Sequence, residues 1–366
     1  MEKERKALLY SLVVAVVVLG LTVICWLKPA EEFSATERRK LAQFPEVSVS
    51  NIFNGNFMEK FESYTTDQFP MRDEFRSIKA AFHKYVFAQL DNNGIYIADG
   101  SVSEMDAELS ETALQRAMKK FTSIYDAYMQ GTDVKIYTSV IPDKNYFLAE
   151  PNGYLAYDYE ELYSYVQENL DFAEYIEIRD LLEIGDYYRT DTHWKQENIL
   201  DVAQRLGDKM GTPLGVSYEQ KTIANPFYGV YYGQLALPIE PDMLTYLDAD
   251  IFKDCVIYDH ENQKNIPMYD LELAAGRDAY EMFLSGSLSV ITIQNPNATT
   301  EKELVIFRDS FGSSLTPLLV EGYQKITVLD IRYLNEKMIS NFVEFSNQDV
   351  LFIYSTGVLN NESSFR

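Results

Sequence analysis

The first feature of the chain is a run of apolar positions with no polar interruption. From Ala7 to Leu27 it reads ALLYSLVVAVVVLGLTVICWL, 21 residues without a charge. At about 1.5 Å rise per residue, a helix of this length crosses the roughly 30 Å hydrocarbon layer of a bilayer. Lys3, Arg5 and Lys6 precede the run, which predicts a cytoplasmic N-terminus and an exported remainder. A cleaved signal peptide is the rival reading. Its apolar region is typically about 7–15 residues long and ends at a small-residue cleavage site. This stretch has neither property, so residues 1–29 are expected to be a cytoplasmic tip and an uncleaved transmembrane anchor.

Beyond the run the pattern changes period. Ile52, Phe53, Phe57, Phe61 and Tyr64 recur at helical spacing, Phe69 to Asp73 interrupts, and Phe75, Ile78, Ala81, Phe82 and Val86 resume. Gly94 to Ala98 reads as a short strand and Glu108 to Gln130 as a helix ended by Gly131. Residues 30–130 are therefore expected to be a helical segment packing on a core that follows. From Val134 strands and helices alternate. Val134 to Ile141 and Tyr175 to Ile178 read as strands, and Leu155 to Phe172 as a helix. A further helix is expected from a cap at Asp191 or Thr192 through Met210, with Ile199, Ala203, Leu206 and Met210 as its apolar stripe. Residues 212–300 break the alternation with Gly, Pro and Tyr clusters and short runs (Tyr228 to Leu237, Val256 to Tyr258, Val290 to Ile293), and predict an irregular, β-rich insertion. The alternation returns with Leu304 to Phe307, a helix to Glu321, Ile326 to Leu329, a helix over Leu334 to Phe345, and Val350 to Tyr354. Such alternation predicts an α/β domain over 131–366, its mainly parallel sheet covered by helices on both faces in three layers.

Composition narrows the partners. An apolar share of 46% with 24% charged residues belongs to a folded chain. Setting aside Glu2, Lys3, Glu4, Arg5, Lys6 and Lys28 leaves 28 basic and 54 acidic residues after position 30, a net charge of −26. Phosphate binding on nucleic acid needs clustered Lys and Arg, so nucleic acid is excluded as a partner, and a neutral or zwitterionic partner is favoured. Of the two cysteines, Cys25 lies in the apolar run, so the exported part has only Cys255 and no internal disulfide. Asp248, Asp250 and Asp254 lack the Gly and terminal Glu of a calcium loop. Cys255 and His260 are too few for zinc. No metal and no cofactor is called for.

Two segments carry candidate chemistry: Asp191-Thr192-His193-Trp194, and Arg308-Asp309-Ser310-Phe311-Gly312. The chain has three histidines, so few candidates compete for the role of base. Asp191 is able to accept from the imidazole Nδ1–H of His193 and so fix the tautomer that leaves Nε2 free. Trp194 is placed to shield the pair. Ser310 follows an apolar strand and precedes a helix, where helix-terminal N–H groups favour an oxyanion. Simple helix capping by Asp191, Asp309 or Ser310 is the plain alternative at each place. Among the tyrosines, Tyr228, Tyr231 and Tyr232 form a cluster suited to stacking on sugar rings, as does Trp194.

Tyr187 to Trp194 resembles the defining motif of the DHHW protein family, which is similar to the alginate O-acetyltransferases of the SGNH-hydrolase superfamily. Further segments agree in order: Gln68-Phe69-Pro70-Met71-Arg72-Asp73, Ile141-Pro142-Asp143-Lys144, Ala279 to Gly286, Arg308 to Gly312, and Asp330-Ile331-Arg332-Tyr333. Thr192 stands where the family name has its first His, and Ser287-Leu288-Ser289 where a more polar segment is expected. The resemblance implies an SGNH-like fold, with Ser310 as nucleophile, His193 as general base and Asp191 as its orienter. It further implies Phe311, Gly286 and Arg332 at the substrate or oxyanion. The activity it implies is transfer of an acyl group, acetyl above all, onto a hydroxyl of a cell-surface polysaccharide or exopolysaccharide, from a membrane-bound O-acyltransferase partner. A carbohydrate esterase, or a non-catalytic envelope protein of the same fold that binds glycan or scaffolds partners, are the other readings.

Overall fold

The computed structural model describes residues 2–34 and 36–365. It forms two compact units, residues 1–92 with 232–239, and residues 93–231 with 240–366.

In the first unit, α1 (Glu2–Leu27) contains the apolar run. Its Arg5–Leu27 portion is long and apolar enough to cross a membrane. The side chains of Leu8, Val14, Leu19 and Trp26 are exposed, as a lipid-facing helix requires. After it come α2 (Asn56–Asp67) and α3 (Arg72–Ala81), separated by the predicted interruption. Within that break Gln68 is buried. Its side-chain amide donates to the carbonyls of Glu31 (2.8 Å) and Ala42 (3.1 Å), and its oxygen accepts from the Glu31 N–H (2.9 Å). Asp67 takes a two-pronged bond from Arg39 (2.6 and 2.8 Å), which with neighbouring charge holds its carboxyl down near about 2. The hydrophobic face of α2 gathers Phe57, Phe61 and Tyr64 around Phe44.

The second unit is α/β. Its helices are α4 (Glu111–Tyr128), α5 (Lys144–Asn152), α6 (Tyr159–Asn169), α7 (Leu200–Met210) and α8 (Phe311–Leu319). A hairpin of β1 (Ile95–Ala98) and β2 (Ser101–Glu104) opens it. Its main sheet has eight strands. Numbered along the chain they are β3 (Lys135–Ile141), β4 (Glu174–Tyr175), β7 (Val256–Asp259), β8 (Lys264–Ile266), β9 (Val290–Gln294), β10 (Glu303–Arg308), β11 (Lys325–Leu329) and β12 (Asp349–Ser355). β5 (Glu219–Phe227) and β6 (Asp242–Asp248) pair separately. The order across the sheet is β8-β7-β9-β11-β10-β12-β3-β4. The five strands from β11 to β4 are parallel, and β9, β7 and β8 extend them antiparallel. Residues 212–300 thus supply a separate hairpin and three strands of the main sheet.

The parallel strands β3, β10, β11 and β12 read as largely apolar runs because both faces are buried. Along β10, Leu304 and Ile306 enter one core, with Val202 and Leu206 of α7 and Leu315 and Leu318 of α8. Val305 and Phe307 enter the other, with Phe121 of α4 and Leu162 and Val166 of α6. Three expected elements differ. The helix predicted from Asp191 starts at Leu200, because the Asp191 carboxylate is occupied by His193 and Val230 and caps nothing. Tyr228 to Leu237 is not extended: Val230–Leu235 is helical. The N–H groups of Gly229, Val230 and Tyr231 bond to Thr190 and Asp191 rather than to a strand. Over Leu334 to Phe345 only Glu336–Asn341 is helical, as a tight 3-10 segment capped by Asn335.

Phe352 is 1% exposed and stacks on Phe307 at 4.5 Å. Phe352→Ala is expected to cost about 3–5 kcal/mol, against less than about 1 kcal/mol for Val256→Ala on the half-exposed β7. Thermal or denaturant unfolding of the detergent-solubilised chain, followed by intrinsic fluorescence, measures the difference.

Candidate active site

The end of β10 is where the sheet delivers Ser310. Asp309, fully buried, accepts from the Ser355 N–H and Oγ (both 2.7 Å) with one oxygen and from the Phe311 N–H (3.0 Å) with the other. This fixes the turn between β10 and α8 against the end of β12. Ser310 then sits at the N-terminus of α8, where the helix field favours negative charge. Gly312 is required there, because a Cβ would lie 2.6 Å from Arg308 Cβ.

Asp191 and His193 meet Ser310 on a loop. His193 Nδ1 is 2.6 Å from Asp191 Oδ1, and His193 Nε2 is 2.7 Å from Ser310 Oγ. The carboxylate accepts a hydrogen bond from Nδ1–H, so Nε2 carries no proton and is left to accept from the serine hydroxyl. Asp191 is itself held: its Oδ1 accepts from the His193 backbone N–H (3.1 Å) and its Oδ2 from the Val230 N–H (2.9 Å). Tyr280 lies flat against the imidazole, 3.8 Å between centroids and 9° from parallel. Burial pushes the Tyr280 hydroxyl pKa well up, and the hydroxyl is bonded to Ser314 Oγ at 2.8 Å.

Lys144 holds this loop from beneath. It is buried at 1% exposure, and its ammonium donates to the carbonyls of Tyr188 (2.7 Å), Arg189 (2.9 Å) and Asp191 (3.1 Å). Burial pushes it down to about 7, with the charges of Asp242 and Asp191 acting in the opposite sense. Asp242 grips the loop from the other side through the N–H groups of Arg189 (2.7 Å) and Thr190 (2.8 Å) and the Thr190 hydroxyl (2.7 Å). Lys144, Asp242 and Tyr280 are the functional neighbours that reading the sequence assigned no role. For two of them the signal was present: Lys144 ends the Ile141-Pro142-Asp143-Lys144 segment and Tyr280 belongs to the Ala279 to Gly286 segment.

The other expected site residues divide. Phe311 lines the cleft and packs on His193 (4.9 Å), but its N–H is taken by Asp309. Tyr231 lines the same cleft. Tyr228 is exposed, and Tyr232 falls in the first unit. Trp194 has no ring face to offer a sugar. It is fully buried, edge-on to Phe311, with its indole N–H on Ser314 Oγ (2.9 Å) and the Phe311 carbonyl (3.2 Å). Gly286, at φ +84°, turns its carbonyl toward the buried Arg308 (3.4 Å) and does not line the cleft. From there the chain runs through Ser289, bonded to Glu261, into β9. Arg332 lines a different cavity and forms a two-pronged bond to Asp330 (2.6 and 2.9 Å).

The cleft at Ser310 has a volume of about 870 Å³. Its walls carry six carboxylates, Glu104, Asp106, Glu108, Glu111, Asp143 and Glu362, and no lysine or arginine among the described residues. Burial first, and then the charge of Asp143, raise the pKa values of Glu104 and Asp106, with Asp106 adding to the effect on Glu104. Among the described residues no group of three or more His, Cys, Asp or Glu is arranged to hold a metal.

No protein-family model matches the chain, and no curated protein is similar to it in sequence. Solved structures do match. A DHHW family protein from Eubacterium siraeum superposes with a TM-score of 0.61 at 21% identity, over 75% of this chain and 94% of that one. The chain has the fold of that DHHW protein. PatB1 from Bacillus cereus matches with a TM-score of 0.57 at 17% identity, over 74% of this chain and 97% of PatB1, in a structure carrying a sulfonyl adduct. A second PatB1 structure gives the same score at 18% identity. In this chain that fold is an α/β arrangement, with the eight-stranded sheet between two helical layers.

Gly229 tests the loop geometry. A Cβ at this position would lie 2.3 Å from Asp191 Cβ and 2.4 Å from Asp191 Cα. Gly229→Ala is therefore expected to displace the carboxylate. It should destabilise the fold by about 1–3 kcal/mol and slow any Ser310-dependent turnover by more than tenfold. Unfolding curves and rates on an activated ester, measured side by side, check both.

Proposed function

We propose that this chain is a membrane-anchored serine acyltransferase of the cell surface, which transfers an acyl group, acetyl in the first instance, onto a hydroxyl of a polysaccharide. The observation that carries the reading is the bridge of His193 between Asp191 at 2.6 Å and Ser310 at 2.7 Å, in a cleft open to substrate. The chemistry follows from that order. Ser310 Oγ attacks the carbonyl of an acyl ester while His193 Nε2 takes its proton. The imidazolium, held by Asp191, returns the proton to the departing alcohol. The acceptor hydroxyl then enters the cleft, loses its proton to His193, and attacks the acyl-serine. The ester passes to the glycan, and Ser310 is regenerated as the proton returns to it.

Other features support the reading. A sulfonyl adduct on PatB1 is the kind of product an activated nucleophile gives on this fold. The carboxylate-lined walls favour an acceptor unit that is uncharged or carries an amine. The apolar helix α1, with Lys3 and Arg5 at its N-terminal end, would hold the bulk of the chain outside the cell. There it would lie close to a membrane-bound O-acyltransferase able to supply the acyl group.

The test is transfer itself. The purified full-length chain is given a radiolabelled acetyl ester and a mixture of neutral and amino-sugar oligosaccharides. Label should appear on Ser310 and then on oligosaccharide. Ser310→Ala should abolish it, and His193→Ala should lower it by at least about 10³-fold. Release of acetate alone, dependent on Ser310, identifies an esterase. Turnover that survives Ser310→Ala contradicts the site.

A further inference from the structure

A second cavity lies beside the catalytic cleft in the same unit, and its charge is opposite. It has a volume of about 580 Å³, and Arg116, Lys119, Lys120, Arg332 and Lys337 line it, with Glu336 as the single acid on its walls. Five cations around one cavity are unexpected in a chain of net charge −24. Three of them have internal bonds: Arg116 donates to the Glu362 carbonyl (3.1 Å), Lys120 to the Ile331 carbonyl (2.7 Å), and Arg332 to Asp330. The ammonium groups of Lys119 and Lys337 have no acidic partner among the described residues. Glu336 is bonded to Ser123 (3.2 Å). Tyr333, a residue 63% exposed, forms part of the wall, and the Arg332 guanidinium sits 5.3 Å from its ring centroid. Cations beside an exposed ring suit a sugar that carries an anionic group.

The cavity and the cleft share two elements. Ser110, Glu111 and Thr112 at the start of α4 line the cleft, and Arg116, Lys119 and Lys120 further along it line the cavity. Eight residues of helix separate Glu111 from Lys119, about 12 Å at 1.5 Å per residue. Likewise Glu362 lines the cleft and Phe365 the cavity. A glycan laid along α4 would cross from carboxylates to cations within two or three sugar units.

We propose that this cavity is an anion subsite for the acceptor polymer. It holds a phosphate or carboxylate of one unit while a neighbouring unit, uncharged or amine-bearing, offers its hydroxyl to Ser310. The inference rests on the acyl-transfer reading for the register of the chain, and on the cavity alone for binding. The acceptor is then a polymer of alternating charge character. A uniform polyanion is repelled at the cleft, and a neutral polymer gains nothing at the cavity.

Binding to the full-length chain in an uncharged detergent at low salt tests this. The fluorescent probes are a glycerol phosphate dimer, digalacturonate and a dextran-derived disaccharide, all short enough to fill the cavity without reaching the carboxylates of the cleft. At least one anionic probe should bind fivefold or more tightly than the dextran-derived disaccharide, and the tighter of the two identifies phosphate or carboxylate as the group held. The double variant Lys119→Glu with Lys337→Glu, checked for an unchanged melting curve, should weaken that binding at least fivefold. Arg116→Ala should weaken it in the same direction. Ser310→Ala should leave it intact. Equal binding of all three probes, or a smaller loss in the charge-reversed variant, overturns the subsite. Acetyl labelling of wild-type Ser310 separates the two claims. Probe binding without label defeats acyl transfer and leaves the subsite, whereas label without anionic binding defeats the subsite alone.

Discussion

The hydrogen bond from Ser310 Oγ to His193 Nε2 joins residues 117 positions apart, and nearly every feature around it serves to keep it at 2.7 Å. Neither partner is placed by its own local structure. Ser310 is aimed by Asp309, whose carboxylate ties β10 to β12 through Ser355. His193 is aimed by Asp191, and Asp191 by a loop with no regular structure of its own. That loop stays in place because Lys144, Asp242 and Thr190 satisfy its backbone and side-chain groups from several directions. A buried lysine with three carbonyl partners is an expensive device. Its position under an irregular segment, rather than in the core, shows what it holds.

Charge shapes what the site receives. The surplus of acid that composition records is not spread evenly. Carboxylates converge on the cleft, where burial raises the pKa values of Glu104 and Asp106, and the compensating cations gather around Arg332. The cleft therefore discriminates by repulsion as well as by fit. An anionic ligand brought up to Ser310 meets like charge, whereas a neutral one does not.

Much of this was legible in the sequence, for identifiable reasons. Strands β3, β10, β11 and β12 stood out because burial on both faces leaves them no polar alternation to blur. The stripe of α7 was visible at Ala203, Leu206 and Met210 because one face alone is buried, and Val202 joins it in the structure. The hairpin of β5 and β6 was not, since Glu219–Phe227 is polar, largely exposed and carries Pro226 at a register shift. At the site, Asp191 and His193 are two residues apart and suggested their own pairing. Their approach to Ser310 is a property of topology, and the segments were joined by the strand-then-turn setting of Ser310, the scarcity of histidines and the ordered resemblance to the DHHW family. Trp194 and Arg332 show the limit of that reasoning. Both belong to matching segments, but Trp194 is consumed by packing under α8, and Arg332 by its bond to Asp330 and a cavity of its own.

The central claim is that Asp191, His193 and Ser310 act as one activated nucleophile. Reaction of the full-length chain with a sulfonyl fluoride, followed by intact mass and peptide mapping, tests it most directly. The account predicts a single adduct on Ser310, formed at a rate that is nearly abolished in His193→Gln. An unreactive Ser310, or an adduct formed equally fast without His193, would contradict it.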